Sequence, residues 1–597
     1  MNFLKKSSIY LAAPALSLIV LTIIFQLWKI DFAKPFFNYN QDGLFYLLTI
    51  KNIIDTGWIF TNPFLGLPNS EIPFSLNDFP IHGELISLVI VKFLALFTNN
   101  PFLASNCFFI ITFALISFTA FIALRNFKIS IFISLLISVL YSFLPYHFFR
   151  NSWHLFLSNY MAVPLSIMLS MWILDGKIKL LIKKNQKFFL NSNREFFITL
   201  LLIIFIAING LYYTFFTCWM ILFAWFLFSL KEGKFINYNL SNMLLINVLL
   251  VISVITIHMP SFIYWIKFGF NDHLLGRSVA QSEIFALKII NLFLPTKHHF
   301  IALFSDVREI FEGNFHSSEA YGESLGILAL TGFVFSFLWL IIKNYGEKNS
   351  FFTKTINRFS LSQKDINFIS NFASLNLISI LVFGSGALIL LFATFFPSFR
   401  SHARFVVFIA FFCFTIMALI FDKILEKNPN KKNLLTLIFS LFFIIAILDQ
   451  VGKPWLNPIQ NNEAIKVFDN DKKFINEVEK ILPEGSNVFI LPAFGFPEQP
   501  YDHYESLICY LHSKKLHWSY PAIAGRPAAK WQEMVVNLNN QGFIKKIKEA
   551  GFNGVYIDRK KYAEVFSYKK LRQLENDLKL ARYKNMPSGD LNLVLYY

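Results

Sequence analysis

Charge is what this chain of 597 residues lacks most: Asp, Glu, Lys and Arg make up 15%, against 55% hydrophobic and 18% aromatic residues. That excludes an ordinary soluble globular surface, which carries about a quarter charged residues. Cysteine is also scarce, with four in the chain. Cys107, Cys218 and Cys413 lie inside apolar runs and read as small core residues, and Cys509 stands alone. There is no CxxC or Cys/His cluster, so neither a zinc site nor a disulfide framework is supported. Walker A, GxGxxG and GxSxG elements in their proper context are missing too, which argues against a nucleotide-driven enzyme. No small-residue cleavage site follows the first apolar run, so that run reads as an uncleaved span.

The formal net charge of +17 raises the question of nucleic acid. The lysines, however, cluster between apolar runs, where the positive-inside rule puts cytoplasmic connections, and nucleic acid is not expected as a partner. What the chain has in abundance is apolar length. Runs of roughly 18 or more residues recur, the signature of membrane-crossing helices. The pattern predicts about eleven spans: Ile9–Trp28, Phe102–Leu124, Ile129–Pro145, Leu155–Leu174, Phe196–Ile208, Tyr212–Leu230, Met243–Trp265, Leu325–Ile342, Leu375–Phe396, Phe405–Ile420 and Leu434–Leu448. The run Leu85–Phe97 is only about 13 residues long, which suits an interfacial or re-entrant helix. If it does not cross, every lysine-rich connection faces the cytoplasm.

This topology leaves two long outer loops, residues 29–100 and 267–324, and puts the C-terminal segment outside as well. That segment is charged and alternates β-rich runs (Asn487–Leu491, Gly554–Asp558, Leu591–Tyr596) with helical patterns such as Gln541–Ala550. Such alternation predicts a small α/β domain. The expected architecture is an α-helical polytopic membrane protein with a transmembrane domain over 1–449 and a periplasmic α/β domain over 450–597.

Ionisable residues are costly at membrane depth, so a concentration of them at one interface marks a site. Asp42 and Asp78 come from the first outer loop, and His147, Arg150 and His154 from the second. Arg277, Glu319 and Glu323 come from the third, and Arg400, His402 and Arg404 from the fourth. Asp42 is suited to take a proton from an acceptor hydroxyl. Asp78 reads as a second acid/base group or a divalent-metal ligand. Either Asp also reads as a turn or helix-capping residue. Arg400 and Arg404 are four residues apart; if helical, they share a face and grip a phosphate, with Arg150 as a third cation. The alternative is that such Arg residues snorkel to headgroups. Glu319 and Glu323 are placed to bind sugar hydroxyls, or to pair charge at the mouth of the eighth span. His147 and His154 are seven apart and suit one helix face, but no metal motif supports ligation with Asp42.

These features together resemble the GT-C superfamily of membrane glycosyltransferases. Asp42 opens a first long outer loop, an amphipathic helix lies inside that loop, many spans follow, and an external C-terminal domain ends the chain. More narrowly, the chain looks like the YfhO-related bacterial multi-spanning proteins. The matching stretches are Asn77–Pro80, Phe143–Arg150, His154–Ser158 and Ala162–Pro164, then Tyr510–Lys514, His517–Tyr520, Gly525–Pro527 and Gly554–Arg559. The resemblance implies a sugar moved from a polyprenyl-phosphate donor to a cell-envelope glycan or lipid acceptor, outside the bacterial inner membrane, with Asp42 as base. The paired acid that many such enzymes carry is absent here, because Gln41 precedes Asp42. No cofactor beyond the lipid-linked donor is expected, and a divalent metal lacks support. The rival readings are a transporter or flippase for lipid-linked sugar and a non-catalytic scaffold of envelope-glycan assembly. Few charges lie in mid-span, which weighs against transport.

Overall fold

The computed structural model describes every residue except 1–7, 38, 179, 185–186, 192–193, 275–276, 316–321, 347–358, 454–461, 498–503, 582–583 and 588–592. Apolar length decides the helices. Among the described residues, eight are long and apolar enough to cross a bilayer: Pro101–Asn126, Ile131–Arg150, Leu211–Glu232, Tyr238–Ile257, Gly326–Asn344, Gln363–Phe383, His402–Lys427 and Pro429–Gln450. Three predicted spans are shorter. Ile9–Phe25 and Ala162–Leu174 fall below full length, and Arg194–Ala207 has 14 residues, a rise of about 21 Å. The helix Leu85–Leu94 has ten residues, about 15 Å, half the thickness of a hydrocarbon core.

Where a predicted boundary moves, a backbone feature accounts for it. The span expected over Leu375–Phe396 is instead the helix Gln363–Phe383, opened by a capping box between Ser362 and Asp365. It ends at Gly384-Ser385-Gly386, where Gly386 takes φ 69°, a value glycine adopts without steric cost. The span expected over Met243–Trp265 is two helices, Tyr238–Ile257 and Met259–Phe268, which meet at His258 just before Pro260. Pro145 holds Leu144 at ψ 143° and divides Ile131–Ser142 from Pro145–Arg150.

The lysine-rich connections gather at one end of the bundle. There Trp172 Nε1 donates to Asn126 Oδ1 at 2.9 Å, Lys231 Nζ to Asn371 Oδ1 at 2.6 Å, and Ser130 N to Asp422 Oδ2 at 2.9 Å. The same end carries a two-stranded hairpin, β1 (Leu181–Lys184) and β2 (Lys187–Leu190), that the hydropathy pattern does not predict.

At the C-terminal end, β3 (Asn487–Leu491), β4 (Gly495–Phe496), β5 (His517–Trp518), β6 (Ala522–Ile523), β7 (Phe552–Asp558), β8 (Asn585–Pro587) and β9 (Leu593–Tyr596) form a five-stranded sheet of order β5-β3-β7-β9-β8 and a separate β4-β6 pair. β3 runs parallel to β5 and β7, and β9 is antiparallel to β7 and β8. The predicted strands Asn487–Leu491 and Gly554–Asp558 and the helix near Gln541 are found, and of Leu591–Tyr596 the part from Leu593 is, residues 591–592 lying outside the described residues.

This sheet region sits on the first long loop, residues 29–100. Asn62 Nδ2 donates to Tyr510 Oη at 2.7 Å, Tyr510 Oη to Asp55 Oδ2 at 2.7 Å, and Trp518 N to Phe64 O at 2.8 Å. Tyr39 Oη meets His512 Nε2 at 2.5 Å, and Phe45 stacks on Phe496 with ring centres 6.1 Å apart. The loop thus acts as the platform between the helices and the sheet.

Candidate functional site

Asp42 is the first residue of a helix, Asp42–Thr56, that buries Leu44, Leu47, Leu48 and Lys51 along one stripe. A carboxylate in the first turn complements the positive end of the helix dipole. Its side chain is 45% exposed, and His154 Nε2 lies 3.6 Å from Oδ2. Two neighbouring residues hold a backbone that ordinarily belongs to glycine: Gln41 at φ 49°, ψ −140°, and Asn151 at φ 24°, ψ −133°. Strain of this kind collects where the surrounding structure fixes a functional geometry.

Arg150 ends the short helix Pro145–Arg150 and is 1% exposed. Its guanidinium carbon lies 4.8 Å from the centre of the Tyr146 ring and 5.2 Å from that of Phe149, a cation–π cradle. His154 N donates to Arg150 O at 2.8 Å, so one turn carries both Arg150 and His154. At the start of the span His402–Lys427, Arg404 lies 4.3 Å over the Tyr212 ring.

Tyr46, one turn after Asp42, is the residue through which these charges meet. Burial raises its phenol above the usual range; Glu84 and Asp42 act in the same direction, and Arg404 and Arg150 act against it. Glu84 is the residue that sequence reasoning missed. It is half-buried, yet Oε2 is enclosed and has no hydrogen-bond partner among the described residues. Burial pushes Glu84 up to about 8, with Arg404 opposing. The available signal was a lone carboxylate immediately before the short apolar helix at Leu85.

The site therefore draws Asp42, Arg150, His154 and Arg404 together and adds Tyr46 and Glu84. The other expected members divide as follows. Asp78 is buried and forms a bidentate bridge to Arg526, with Nε to Oδ2 at 2.8 Å and Nη2 to Oδ1 at 2.5 Å. Both carboxylate oxygens are engaged, which removes it as an acid/base group. His147 is a core residue: Nε2 meets Thr112 Oγ1 and Nδ1 meets Ser142 O, each at 2.9 Å, and its ring stacks on Phe113 at 3.8 Å. Hydrogen-bonded at both nitrogens, it is not placed to bind substrate, and it does not share a helix with His154.

Arg400 and Arg404 do not share a helical face. Residues 399–401 are irregular after Pro397, and helix begins only at His402. Arg400 hydrogen-bonds Gln281 and lies over Phe285, so it faces the third outer loop, whereas Arg404 faces Tyr212. His402 is fully buried, stacked near Phe383 at 6.1 Å, with neither ring nitrogen hydrogen-bonded among the described residues. Glu323 accepts from Asn291 Nδ2 at 2.9 Å and from Lys288 N at 3.4 Å and so braces its own loop. Arg277 lies exposed on the third loop, and Glu319 is outside the described residues. A cavity of about 440 Å³ beside Trp172, Lys177, Glu195 and Phe196 is at the lysine-rich end and includes none of the candidate residues.

No family model and no curated protein matches the chain. Among solved structures, it is similar to the apo oligosaccharyltransferase of Archaeoglobus fulgidus, at 12% identity over 92% of this chain and 69% of that one, with a TM-score of 0.45. The same enzyme with zinc and sulfate aligns at 13% identity over 96% and 72%, with a TM-score of 0.42. ArnT from Cupriavidus metallidurans bound to undecaprenyl phosphate aligns at 10% identity over 98% of this chain and 97% of that one, with a TM-score of 0.39.

Proposed function

We propose that this protein is a GT-C-type membrane glycosyltransferase that moves a sugar from a polyprenyl-phosphate donor to a cell-envelope glycan or lipid on the periplasmic side of the bacterial inner membrane. One observation carries the reading: a half-exposed carboxylate, Asp42, stands at a strained helix start at the membrane edge, beside two arginines drawn from distant spans. Asp42 is the general base for the acceptor hydroxyl. His154 at 3.6 Å orients it. Arg404 meets the departing lipid phosphate through paired donors, and the buried Arg150 offsets its charge from a distance. Residues 450–597, seated on the first outer loop, would present the acceptor.

The test is Asp42→Asn. Asn keeps the shape but cannot take the proton, and general-base assistance contributes about 10²–10⁴ in rate. We expect normal expression, an unchanged Tm and retained lipid-phosphate binding, with envelope-glycan transfer lost. Asp31→Asn serves as a control and should transfer normally. Wild-type transfer by Asp42→Asn would make Asp42 a helix-start residue only and favour the scaffold reading.

A further inference from the structure

Glu84 has no role in the reading above, and its surroundings are unusual. It closes the 3₁₀ turn Pro80–Glu84 just before the interfacial helix. Its carboxylate lies over the turn that joins two spans: a Cβ built on Gly210 would stand 3.2 Å from Oε2 and 3.3 Å from Oε1. Ile86 N donates to Ile208 O at 3.0 Å and pins the two segments together. A Cβ here would crowd the carboxylate and the Tyr213 ring, and Gly210 takes φ 140°, a backbone that side-chain-bearing residues rarely adopt.

Arg404 acts on Glu84 from the helix that starts at His402. Tyr46 and Tyr213 sense its charge from their own helices, and Asp42 and Arg150 stand beyond Tyr46. On its flank, His82 is hydrogen-bonded to Asn77 at 2.8 Å, and His258 Cε1 is 3.3 Å from where a Cβ of Gly83 would be. An enclosed carboxylate oxygen with no donor is costly when ionised and is more stable holding a proton.

Resting on the reading that Arg404 faces the donor phosphate, we propose that Glu84 is a phosphate-positioning residue, held neutral so that it donates a hydrogen bond to the phosphodiester seated on Arg404. An ionised Glu84 would compete for the same guanidinium and repel the anion. A neutral one does not compete with the anion for Arg404 and adds a donor.

The sign of the pH dependence follows. A bound phosphodiester favours the protonated acid, so affinity is full below about pH 8 and falls as pH rises through and above it. One linked proton weakens binding by at most about tenfold per pH unit. His82, which burial lowers to about 4, titrates well below this window, and Tyr46 titrates above it.

The probe is dodecyl methyl phosphate. Its single charge is constant across the range, whereas a monoester ionises a second time near pH 6. The full chain in phosphatidylcholine nanodiscs is titrated with it from about pH 6.5 to about 9.5. We expect the wild-type Kd to rise about tenfold over that range. Glu84→Gln should bind within about threefold of wild type at neutral pH, with a flat profile, because the amide N–H replaces the acid O–H. Binding that is flat with pH in the wild type would overturn the inference and leave the phosphate reading standing, as would an equal slope in Glu84→Gln. No binding by the wild type at any pH would overturn the phosphate reading itself, and this inference with it. If Glu84→Gln melts early, the wild-type profile alone decides.

Discussion

At the scale of single residues, local packing separates side chains that look alike in sequence. Arg400 and Arg404 are both arginines on one outer loop, but Arg400 is committed to Gln281 and Phe285 whereas Arg404 lies over Tyr212 and acts on Glu84. They should therefore respond differently to truncation. Losing a charge-assisted hydrogen bond costs about 1.5–3 kcal/mol, so Arg404→Ala is expected to weaken lipid-phosphate binding by roughly ten- to a hundredfold. Arg400→Ala should stay within about threefold, since its contacts stabilise a neighbouring loop. Arg404→Lys should recover only part of the loss, because a fork becomes a point charge. Titration of both variants with a lipid phosphate checks this; equal losses would put the two arginines back in one grip.

At the scale of elements, the helix Asp42–Thr56 owes its start to an unfavourable residue. Gln41, in a glycine-type conformation at φ 49°, stores about 1–3 kcal/mol. Gln41→Gly relieves that strain against a comparable entropic loss, so Tm should hold or rise. Gln41→Val puts a β-branched residue at positive φ and should lower stability by about 1–3 kcal/mol. Identical melting curves for the two variants would mean that the helix start carries no strain. A second element contact ties the first outer loop to the segment after β6. The bridge between Asp78 and Arg526 is buried, and Arg526 also donates to Phe268 O at 2.7 Å and Gly269 O at 3.0 Å. Removing one partner of a buried pair leaves an uncompensated charge and costs about 3–5 kcal/mol. Asp78→Ala and Arg526→Ala should each show that loss in chemical denaturation, and the double variant should lose far less than their sum. Additive losses would mean the two residues act independently.

At the scale of the whole molecule, the distribution of charge sets two unlike ends. The basic connections meet through Asn126, Asn371 and Asp422 at one end, and Asp42, Glu84, His154 and Arg404 gather near the other, under the sheet region. The positive-inside rule predicts that the basic end is cytoplasmic. Reporter fusions at Asn126 should be active only in a cytoplasmic format, and fusions at the C-terminus only in a periplasmic one. A periplasmic signal at Asn126 would invert the topology and move the site to the wrong side for a periplasmic acceptor.

The sequence by itself determined the helical, membrane-crossing character, the short helix at Leu85, and the strand runs Asn487–Leu491, Gly554–Asp558 and Leu591–Tyr596. Each of these depends on local composition and period: apolar length for a span, β-branched and aromatic runs for a strand. It also marked Asp42, Arg150, His154 and Arg404, because a polar residue next to a span is conspicuous in isolation. What it left undecided depends on contacts between residues far apart in the chain. Asp78 became structural only because Arg526, 448 positions later, reaches back to it. His147 went to the core because Thr112 and Ser142 satisfy both its nitrogens. The shared face expected of Arg400 and Arg404 failed because residues 399–401 are irregular and helix begins only at His402. Glu84 entered the site because tertiary packing enclosed its carboxylate over Gly210 without giving Oε2 a donor among the described residues. Period and composition do not record partners at such separations, so the structure alone decides which of several similar carboxylates and cations face the same space.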